Sequence, residues 1–515
     1  MVRRRVVVLA ATVLALAGCG GHRTHESSGT RSPGTVSTSV SASPTADTRK
    51  AIASTYVTPS DSNWHDVRVD LVALNRLGDD DLVVQLRLTN ESDAATTIVW
   101  DEIADFMQGD EKWHWASGIG VLDTASRELL LPYRTADGGC LCTGEHDQPG
   151  GPGSDDQTIA PHGSWTLYAV TPAPAGGART TTVVTPIAPP LTGVPISADA
   201  PTPPPGQRIR GRDGVQTTTL KYPIETPEES LDKSEEIIDR GRRVEVNLSA
   251  DVLFELNKAE LSGKAHAILA RTARRIDDAG ATTVDVDGYT DSSGDDRIND
   301  PLSRRRADAV RKELARLVHG GVTFVVAGHG SRHPLYPNST SEGRRHNRRV
   351  AVSFTKTRTT RSTADPSSRP AVKKSATFEG VPFSVELTGL RRLTDDLGVL
   401  TYRITDEGDK DGQAPVSGID VDDDAWLQLE AHGASGVFAV DAAEHLRYPA
   451  ARFVSQNGTK RYCACTQTSG VRLFTELYKP HQSKELWSLI ELPGPTDTVD
   501  VEIGRFPKLT SVRVG

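Results

Sequence analysis

The 515-residue sequence lacks long apolar runs, is poor in aromatic residues and carries no excess of positive charge. No apolar run approaches the roughly 20 residues that a membrane-spanning helix needs, which excludes a protein with several membrane spans. Aromatic residues make up only 5 % of the chain, which argues against a protein that binds bases or sugars by stacking. The net charge of −9 argues against a general nucleic-acid binder. At roughly 150 residues per domain, the length predicts about three domains.

Cysteine is also scarce, and the first of the five cysteines ends a short apolar segment. Arg3 to Arg5 precede an apolar run over 6–17, which is too short to span a bilayer and is typical of a signal peptide. The run ends in LAGC, with the cysteine at position 19 (Cys19). This ending resembles the lipobox of bacterial lipoproteins, in which the chain is cleaved before an acylated cysteine. An ordinary secretory signal with a chance cysteine is the alternative.

The lipobox resemblance implies a signal peptide over 1–18 and a diacyl lipid anchor on Cys19, which binds the protein to a bilayer without spanning it. Residues 19–54 are rich in Ser, Thr, Gly, Ala and Pro, and we predict that they form a lipidated, unstructured tether. We therefore expect the protein on the extracytoplasmic face of the cell membrane. In a cell with two membranes, the outer membrane is the expected place.

The other four cysteines form two C-x-C pairs, Cys140/Cys142 and Cys463/Cys465, and these pairs mark an internal repeat. Similar segments flank both pairs in the same order, which indicates a duplicated module at 55–200 and 376–515. The matching segments are VRVDLVALNRL (67–77) and FSVELTGLRRL (383–393), SGIGVLD (117–123) and SGVFAVD (435–441), and SWTLY (164–168) and ELWSLI (485–490). Apolar and polar residues alternate around turns in both copies, which predicts a β-sandwich. The modules loosely resemble the immunoglobulin-like domains of bacterial lipoproteins.

The C-x-C pairs allow a local bridge within each pair, a bridge between the modules, or free thiols. On a strand, residues i and i+2 face the same side about 6.6 Å apart, near the upper limit for a disulfide. We predict a local bridge in each module, because exported proteins meet oxidising conditions. A metal site is disfavoured because His146, near the first pair, has no counterpart after Cys465. The sequence has no C-x-x-C motif, which would favour redox chemistry.

The segment between the modules changes to alternating strand and helix signals. Strands are predicted at 244–248, 283–289, 322–328 and 349–354, and helices over 258–278 and 302–318. Pro301 falls near the first turn of the second predicted helix, where proline is favoured. The order βαβαββ predicts a compact α/β sandwich. The predicted fold class is therefore multidomain α+β, with this central sandwich flanked by two β-sandwich modules.

Two loop motifs lie at the ends of the predicted strands. The first is GYTDSSG (288–294), followed by an asparagine at 299 and by LSRRRA (302–307). The second is GHG (328–330), followed by NRRV (347–350). Together they resemble the OmpA-like peptidoglycan-binding family, whose pattern is G-x-T-D, a glycine three residues later, an asparagine, L-S-x-x-R-A, G-x-G and N-R-R-V. The resemblance covers 228–356, about a quarter of the chain.

The resemblance implies that Asp291 and Arg306 grip the diaminopimelate of the peptidoglycan peptide stem. The ligand ends in an ammonium and a carboxylate. The carboxylate of Asp291 would bind the ammonium, and the guanidinium of Arg306 would bind the ligand carboxylate through two hydrogen bonds. Arg306 also interrupts an apolar helical stripe of Leu302, Val310 and Leu314, and a charge there needs a partner. We predict that Asp291 is that partner when the site is empty. A salt bridge that only fixes the loop to the helix is the alternative.

Four further residues match the family pattern. Asn299 either hydrogen-bonds the ligand or caps the helix. Asn257 either lines the pocket or forms a capping box with Glu260. Arg348, the first arginine of NRRV, is expected to contact a ligand carboxylate, and Thr290 adds a hydroxyl at the pocket.

The sequence contains no pattern typical of an enzyme or a metal site. It has no H-E-x-x-H motif, nucleophile elbow or phosphate loop, and its acidic run at 420–424 lacks the glycine and glutamate of an EF-hand. We therefore expect no enzyme activity, cofactor, metal or nucleic-acid partner.

The predicted function is that of a lipid-anchored cell-envelope protein that binds peptidoglycan non-covalently and tethers membrane to wall. Linkers are predicted at 201–227 and 357–375, on either side of the peptidoglycan-binding domain at 228–356. The alternative is an adhesion or solute-binding lipoprotein, in which the β-sandwich modules carry the activity through an unidentified protein partner.

Overall fold

The computed structural model describes residues 47–58, 66–105, 107, 116–144, 156–255, 257–357, 372–416, 429, 433–466, 477–494 and 496–515. This part of the chain is mostly β-structure with few helices. None of the helices in these ranges is long and apolar enough to cross a bilayer. Cys19 and the predicted signal peptide lie outside the described residues, as do most of the predicted tether and of the linker over 357–375.

The N-terminal module consists of two antiparallel sheets around a shared apolar core. Its strands are β1 (Ala53–Tyr56), β2 (Val67–Leu77), β3 (Asp81–Asn90), β4 (Thr96–Val99), β5 (Gly120–Asp123), β6 (Glu128–Thr135), β7 (Asp156–Ile159), β8 (Ser164–Pro172), β9 (Thr180–Thr185) and β10 (Ala188–Pro195). A short helix, α1 (Trp100–Ile103), follows β4. The strand orders are β1-β2-β3-β8 and β6-β5-β9-β10, with β4 and β7 as a separate pair. Leu71 and Leu86 of the first sheet and Val121 and Val183 of the second meet in the core.

The central domain begins with a long strand and packs helices on one face of a sheet. Its elements are β11 (Thr217–Ser230), β12 (Glu235–Arg240), β13 (Arg243–Ser249), α2 (Ala250–Leu253), α3 (Ala265–Ala279), β14 (Thr283–Gly288), α4 (Asp296–Leu317), β15 (Thr323–Gly328), α5 (Ser341–Asn347) and β16 (Arg349–Thr355). The strand order is β12-β13-β16-β14-β15, in which only the β14–β15 pair is parallel. Val286 and Val352 of the sheet pack against Leu269 of α3 and Val310 of α4.

Strands β13 to β16 lie at the four predicted positions, whereas both helices begin elsewhere. Helix α3 begins at Ala265, after a turn in which Asn257 has a φ of 60° and the chain leaves the helical conformation. Helix α4 begins at Asp296, because the side chain of Asp295 caps it by accepting a hydrogen bond from the backbone N–H of Arg297. Pro301 therefore lies inside the helix rather than in its first turn.

The C-terminal module repeats the strand order of the N-terminal one. Its strands are β17 (Val372–Phe378), β18 (Val381–Arg392), β19 (Leu397–Asp406), β20 (Gly412–Gln413), β21 (Val437–Asp441), β22 (Leu446–Pro449), β23 (Arg452–Val454), β24 (Arg461–Cys463), β25 (Leu477–Tyr478), β26 (Ser483–Glu491), β27 (Thr498–Ile503) and β28 (Leu509–Arg513). The orders are β17-β18-β19-β26 and β22-β21-β27-β28. Both modules also carry a register shift at matching places, between Leu71 and Ala73 and between Leu387 and Gly389.

Strand β11 connects the three parts of the described chain. It pairs in turn with β6 of the N-terminal module, β23 of the C-terminal module and β12 of the central domain, and it ends against β22. The predicted linker over 201–227 contains the beginning of this strand. A buried apolar cluster also joins Leu131 of the N-terminal module, Tyr222 of β11 and Trp487 of the C-terminal module. The two modules therefore pack on each other with β11 between them.

The C-x-C pairs occupy equivalent buried places in the two modules. The Cα atoms of Cys140 and Cys142 are 5.3 Å apart, those of Cys463 and Cys465 are 5.2 Å apart, and the sulfurs within each pair are joined. Cys142 forms a β-bridge to β8, and Cys465 forms the matching bridge to β26. A local bridge in each module stays a prediction, which this spacing allows.

Candidate functional site

The carboxyl ends of the parallel strands β14 and β15 place two short loops side by side. Gly288 ends β14 and is followed by Thr290 and Asp291, whereas Gly328 ends β15 and is followed by Gly330. The backbone N–H of Thr290 donates to the carbonyl of Gly330 over 2.8 Å. The two loop motifs of the sequence are therefore hydrogen-bonded to each other.

Helix α4 lies directly against both strand ends. A Cβ on Gly288 would lie 2.0 Å from the carbonyl oxygen of Ser303, and one on Gly328 would lie 2.5 Å from the backbone nitrogen of Arg304. Both contacts are with backbone, which has little room to give way. Glycine at these positions therefore allows the close approach of the helix that carries Arg306.

Asp291 is a buried carboxylate at the rim of the sheet, with 7 % of the residue exposed and a hydrogen bond to each of its two oxygens. Its Oδ1 accepts from the backbone N–H of Ser293 over 2.8 Å, and its Oδ2 accepts from Nη1 of Arg348 over 2.6 Å. Burial acts to raise the pKa of Asp291, but the hydrogen bonds from Arg348 and Ser293 outweigh it and leave the pKa below its ordinary value. The carboxylate is therefore held in its charged form.

Arg306 is also buried, with 5 % of the residue exposed, but its environment differs. Its Nε donates to the carbonyl of Lys258 over 3.0 Å, and its guanidinium lies 5.2 Å from the centre of the Phe254 ring. It forms no ion pair with any carboxylate of the described residues. Burial lowers the pKa of Arg306, and the nearby charges of Asp251 and Asp291 oppose this. The predicted Asp291–Arg306 pair is therefore wrong for the empty site, where Arg348 is the partner of Asp291.

Arg348 connects Asp291 to Asp251, a carboxylate that the sequence reasoning missed. The Nε and Nη2 of Arg348 donate to the carboxylate of Asp251 over 2.9 and 2.7 Å. These hydrogen bonds and the one to Asp291 raise the pKa of Arg348. Asp251 follows the end of β13 and Arg348 precedes the start of β16, and these two strands are antiparallel neighbours. Pairing the predicted strands in this order would have indicated that Asp251 lies beside Arg348.

Thr290 and Asn299 lie in the same loop cluster, and both are buried. The hydroxyl of Thr290 has no hydrogen-bond partner among the described residues. The side-chain amide of Asn299 donates to the carbonyl of Ser293 over 3.1 Å, which steadies the loop that follows Asp291. Because Asp295 caps α4, the capping alternative for Asn299 is wrong.

Asn257 is exposed and lies in the turn that precedes α3. A capping box with Glu260 is not formed, because α3 begins only at Ala265. The next residue, Lys258, accepts the hydrogen bond from Arg306 through its carbonyl. Asn257 is therefore the sequence neighbour of a residue that contacts Arg306.

Comparison with known proteins identifies the family of the region that carries these loops. Residues 253–348 match the OmpA family, and this range contains all six predicted ligand-binding residues. The putative lipoprotein YfiB of Escherichia coli is 33 % identical over 114 residues, which cover 21 % of this chain and 69 % of YfiB. The chain belongs to the OmpA family.

Other relatives match the same OmpA-family region. Outer membrane porin F of Pseudomonas aeruginosa is 38 % identical over 107 residues, 20 % of this chain and 30 % of the porin. The peptidoglycan-binding protein ArfA of Mycobacterium tuberculosis is 36 % identical over 101 residues, 20 % of this chain and 31 % of ArfA. The chain thus spans about a third of the length of these two relatives. The solved cell wall anchor of the T6SS from Pseudomonas aeruginosa is 25 % identical, covers 24 % of this chain and 90 % of the anchor, and has a TM-score of 0.22.

A second charged cluster lies away from the OmpA-family loops, at the junction with the modules. Among the described residues, Asp239, Asp396 and Glu491 have carboxylate oxygens within 4.8 Å of one another, which a metal ion would accept as ligands. Arg127 donates to Asp396 over 2.8 Å, and the ammonium of Lys356 pairs with Asp239. These two cations already oppose the negative charge, so the cluster is a poor fit for a metal ion.

Proposed function

We propose that this protein binds peptidoglycan non-covalently through the diaminopimelate of the peptide stem. The observation that carries the proposal is the state of Arg306, which is buried and has no carboxylate partner in the described part of the chain. A buried charge without a partner is costly, and a ligand carboxylate bound by the guanidinium fork offsets that cost. Asp291 accepts the ammonium group of the same ligand.

The names of the relatives support the cell-envelope part of this proposal. They include an outer membrane porin, a putative lipoprotein and a protein named for peptidoglycan binding, which supports a cell-envelope role for the OmpA-family region. None of the three names describes an enzyme, and we propose that this chain has no catalytic role. Thr290, Asn299, Asn257 and Arg348 are proposed to line the ligand around Asp291 and Arg306.

The proposal extends to the rest of the chain. Cys19 carries a diacyl anchor after cleavage of the signal peptide, and the tether lets the folded part reach the wall. The central α/β sandwich binds the wall, and the two immunoglobulin-like modules, each with a local disulfide, support it. The protein then joins a membrane on its extracytoplasmic side to the cell wall.

Retention of the full-length protein on sacculi tests the proposed site. Wild-type protein is expected to sediment with sacculi that contain diaminopimelate and to be displaced by free meso-diaminopimelic acid. Asp291→Ala and Arg306→Ala are each expected to reduce retention at least tenfold, because each removes one charged contact with the ligand.

Two neighbouring residues provide matched controls. Arg305→Ala removes an exposed arginine next to Arg306, and Asp285→Ala removes an aspartate within β14 that pairs with Arg243. Both variants are expected to bind sacculi as the wild type does. Unchanged retention in both Asp291→Ala and Arg306→Ala would overturn the site.

A further inference from the structure

One carboxylate outside the range of the family match belongs to the charged cluster. Asp251 accepts from Nε and Nη2 of Arg348, so that the edge of the guanidinium meets the carboxylate through two hydrogen bonds. The remaining Nη1 of Arg348 donates to Oδ2 of Asp291 over 2.6 Å. A single guanidinium therefore joins two carboxylates, and Asp251 has the larger share of its donors.

This division leaves Asp291 with unused acceptor capacity. Its Oδ1 accepts one hydrogen bond from Ser293 and its Oδ2 accepts one from Arg348. A carboxylate oxygen has two lone pairs, so each oxygen can accept a further hydrogen bond from a ligand. An ammonium group can therefore join Asp291 without displacing Arg348.

We propose that Asp251 is a positioning residue, which holds Arg348 so that the charge of Asp291 stays available to the ammonium group of a bound diamino acid. This inference rests on the proposed function. Without the charge of Asp251, Arg348 turns its forked edge to Asp291, since a guanidinium prefers two parallel hydrogen bonds to one carboxylate. The side chain of Arg348 is 31 % exposed, which leaves it room for this movement. Arg348 then competes with the ligand for Asp291.

Calorimetric titration of the full-length protein with meso-diaminopimelic acid tests this role. Asp251→Asn is expected to weaken binding about tenfold, the effect of losing about one charged hydrogen bond, and Asp251→Glu is expected to restore most of it. Pimelic acid has the same carbon chain without ammonium groups, and its binding is expected to be equal in wild type and Asp251→Asn. Asp308→Asn, at an exposed carboxylate of α4 that pairs with Arg304, is the matched control.

An Arg348→Ala background separates positioning from direct contact. If Asp251 acts through Arg348, Asp251→Asn adds no further loss to Arg348→Ala. An additive loss in the double variant, or an equal loss for pimelic acid, would overturn the positioning role. If the wild type binds diaminopimelic acid through Asp291 and Arg306 and Asp251→Asn binds equally well, the positioning role alone is overturned. No binding by the wild type would overturn the proposed function together with it.

Discussion

Arg127 of the N-terminal module donates a hydrogen bond to Asp396 of the C-terminal module over 2.8 Å. The same guanidinium donates to the hydroxyl of Thr226 in β11 over 2.8 Å and lies 3.9 Å from Asp239 of the central domain. The Arg127 side chain is 8 % exposed, so these contacts are largely shielded from water. One buried cation therefore contacts all three parts of the described chain, and we expect them to unfold together.

Arg127→Met is expected to lower the free energy of unfolding by about 3–5 kcal/mol, because it removes the cation that is hydrogen-bonded to the largely buried carboxylate of Asp396. Urea denaturation followed by circular dichroism measures this change. Arg403→Met is the control, since Arg403 pairs with Glu485 at the surface and its loss is expected to cost at most about 1 kcal/mol. Equal losses in the two variants would show that the junction contributes no more than a surface ion pair.

Glu491 predicts a pH dependence of stability at the same junction. Its burial, together with the charges of Glu228 and Asp239, raises the pKa of Glu491 well above 4.5. In the described structure its Oε2 has no hydrogen-bond partner. The folded protein therefore binds a proton that the unfolded chain has lost. This contribution to stability is complete below pH 4.5 and disappears as the pH rises through the raised pKa of Glu491.

Glu491→Gln is expected to remove this dependence, which amounts at most to about 1.4 kcal/mol per pH unit. The measurement is the free energy of unfolding in urea at several pH values from 5 to 8, in wild type and variant. Glu444→Gln, at an exposed site of the same module, is expected to keep the wild-type slope. A Glu491→Gln slope as steep as that of the wild type would mean that other groups cause the pH dependence.

The strands of the central domain are predictable because each carries a local pattern of alternating apolar residues. The helix starts are less predictable, since they depend on single residues such as the Asp295 cap and the turn at Asn257. The beginning of β11 is hidden in a segment with a linker-like composition, because three different partner strands stabilise it.

The candidate site was likewise predictable only where a local sequence motif defines it. Motif spacing predicts that Asp291 and Arg306 lie at one rim, and in the structure the charge of Arg348 acts on both of them. The actual partner of Asp291 depends on which strand ends are adjacent. Asp251 and Arg348 are 97 residues apart in the chain, so no local pattern reports their contact.

The C-x-C pairs predict one local disulfide in each module. Tryptic digestion without reductant is expected to give peptides that contain Cys140–Cys142 and Cys463–Cys465 as internal bridges, with no free thiol among these four. A bridge across one intervening residue closes a very short loop, so Cys463→Ser is expected to cost only about 1.5 kcal/mol of stability. Peptides that link the two modules, or thiols that react with a label before reduction, would contradict local pairing.

Gly288 offers a test of how the fold positions the ligand-binding arginine. A Cβ at this position would lie 2.0 Å from the carbonyl oxygen of Ser303, so Gly288→Ala must push α4 away from the end of β14. We expect a loss of about 1–3 kcal/mol in the free energy of unfolding, the usual effect of overpacking. Because Arg306 moves with α4, retention on sacculi is expected to fall as well.

Gly321→Ala is the control for this prediction, because nothing lies within 4 Å of its added Cβ and its stability is expected to change by less than about 0.5 kcal/mol. Sacculus retention is compared without urea, at a temperature at which both variants are folded. A binding defect is thereby separated from unfolding. If Gly288→Ala loses stability but binds sacculi as the wild type does, the helix position is not what places Arg306 against the ligand. If it loses both while Gly321→Ala loses neither, the contact between α4 and the end of β14 determines the geometry of the site.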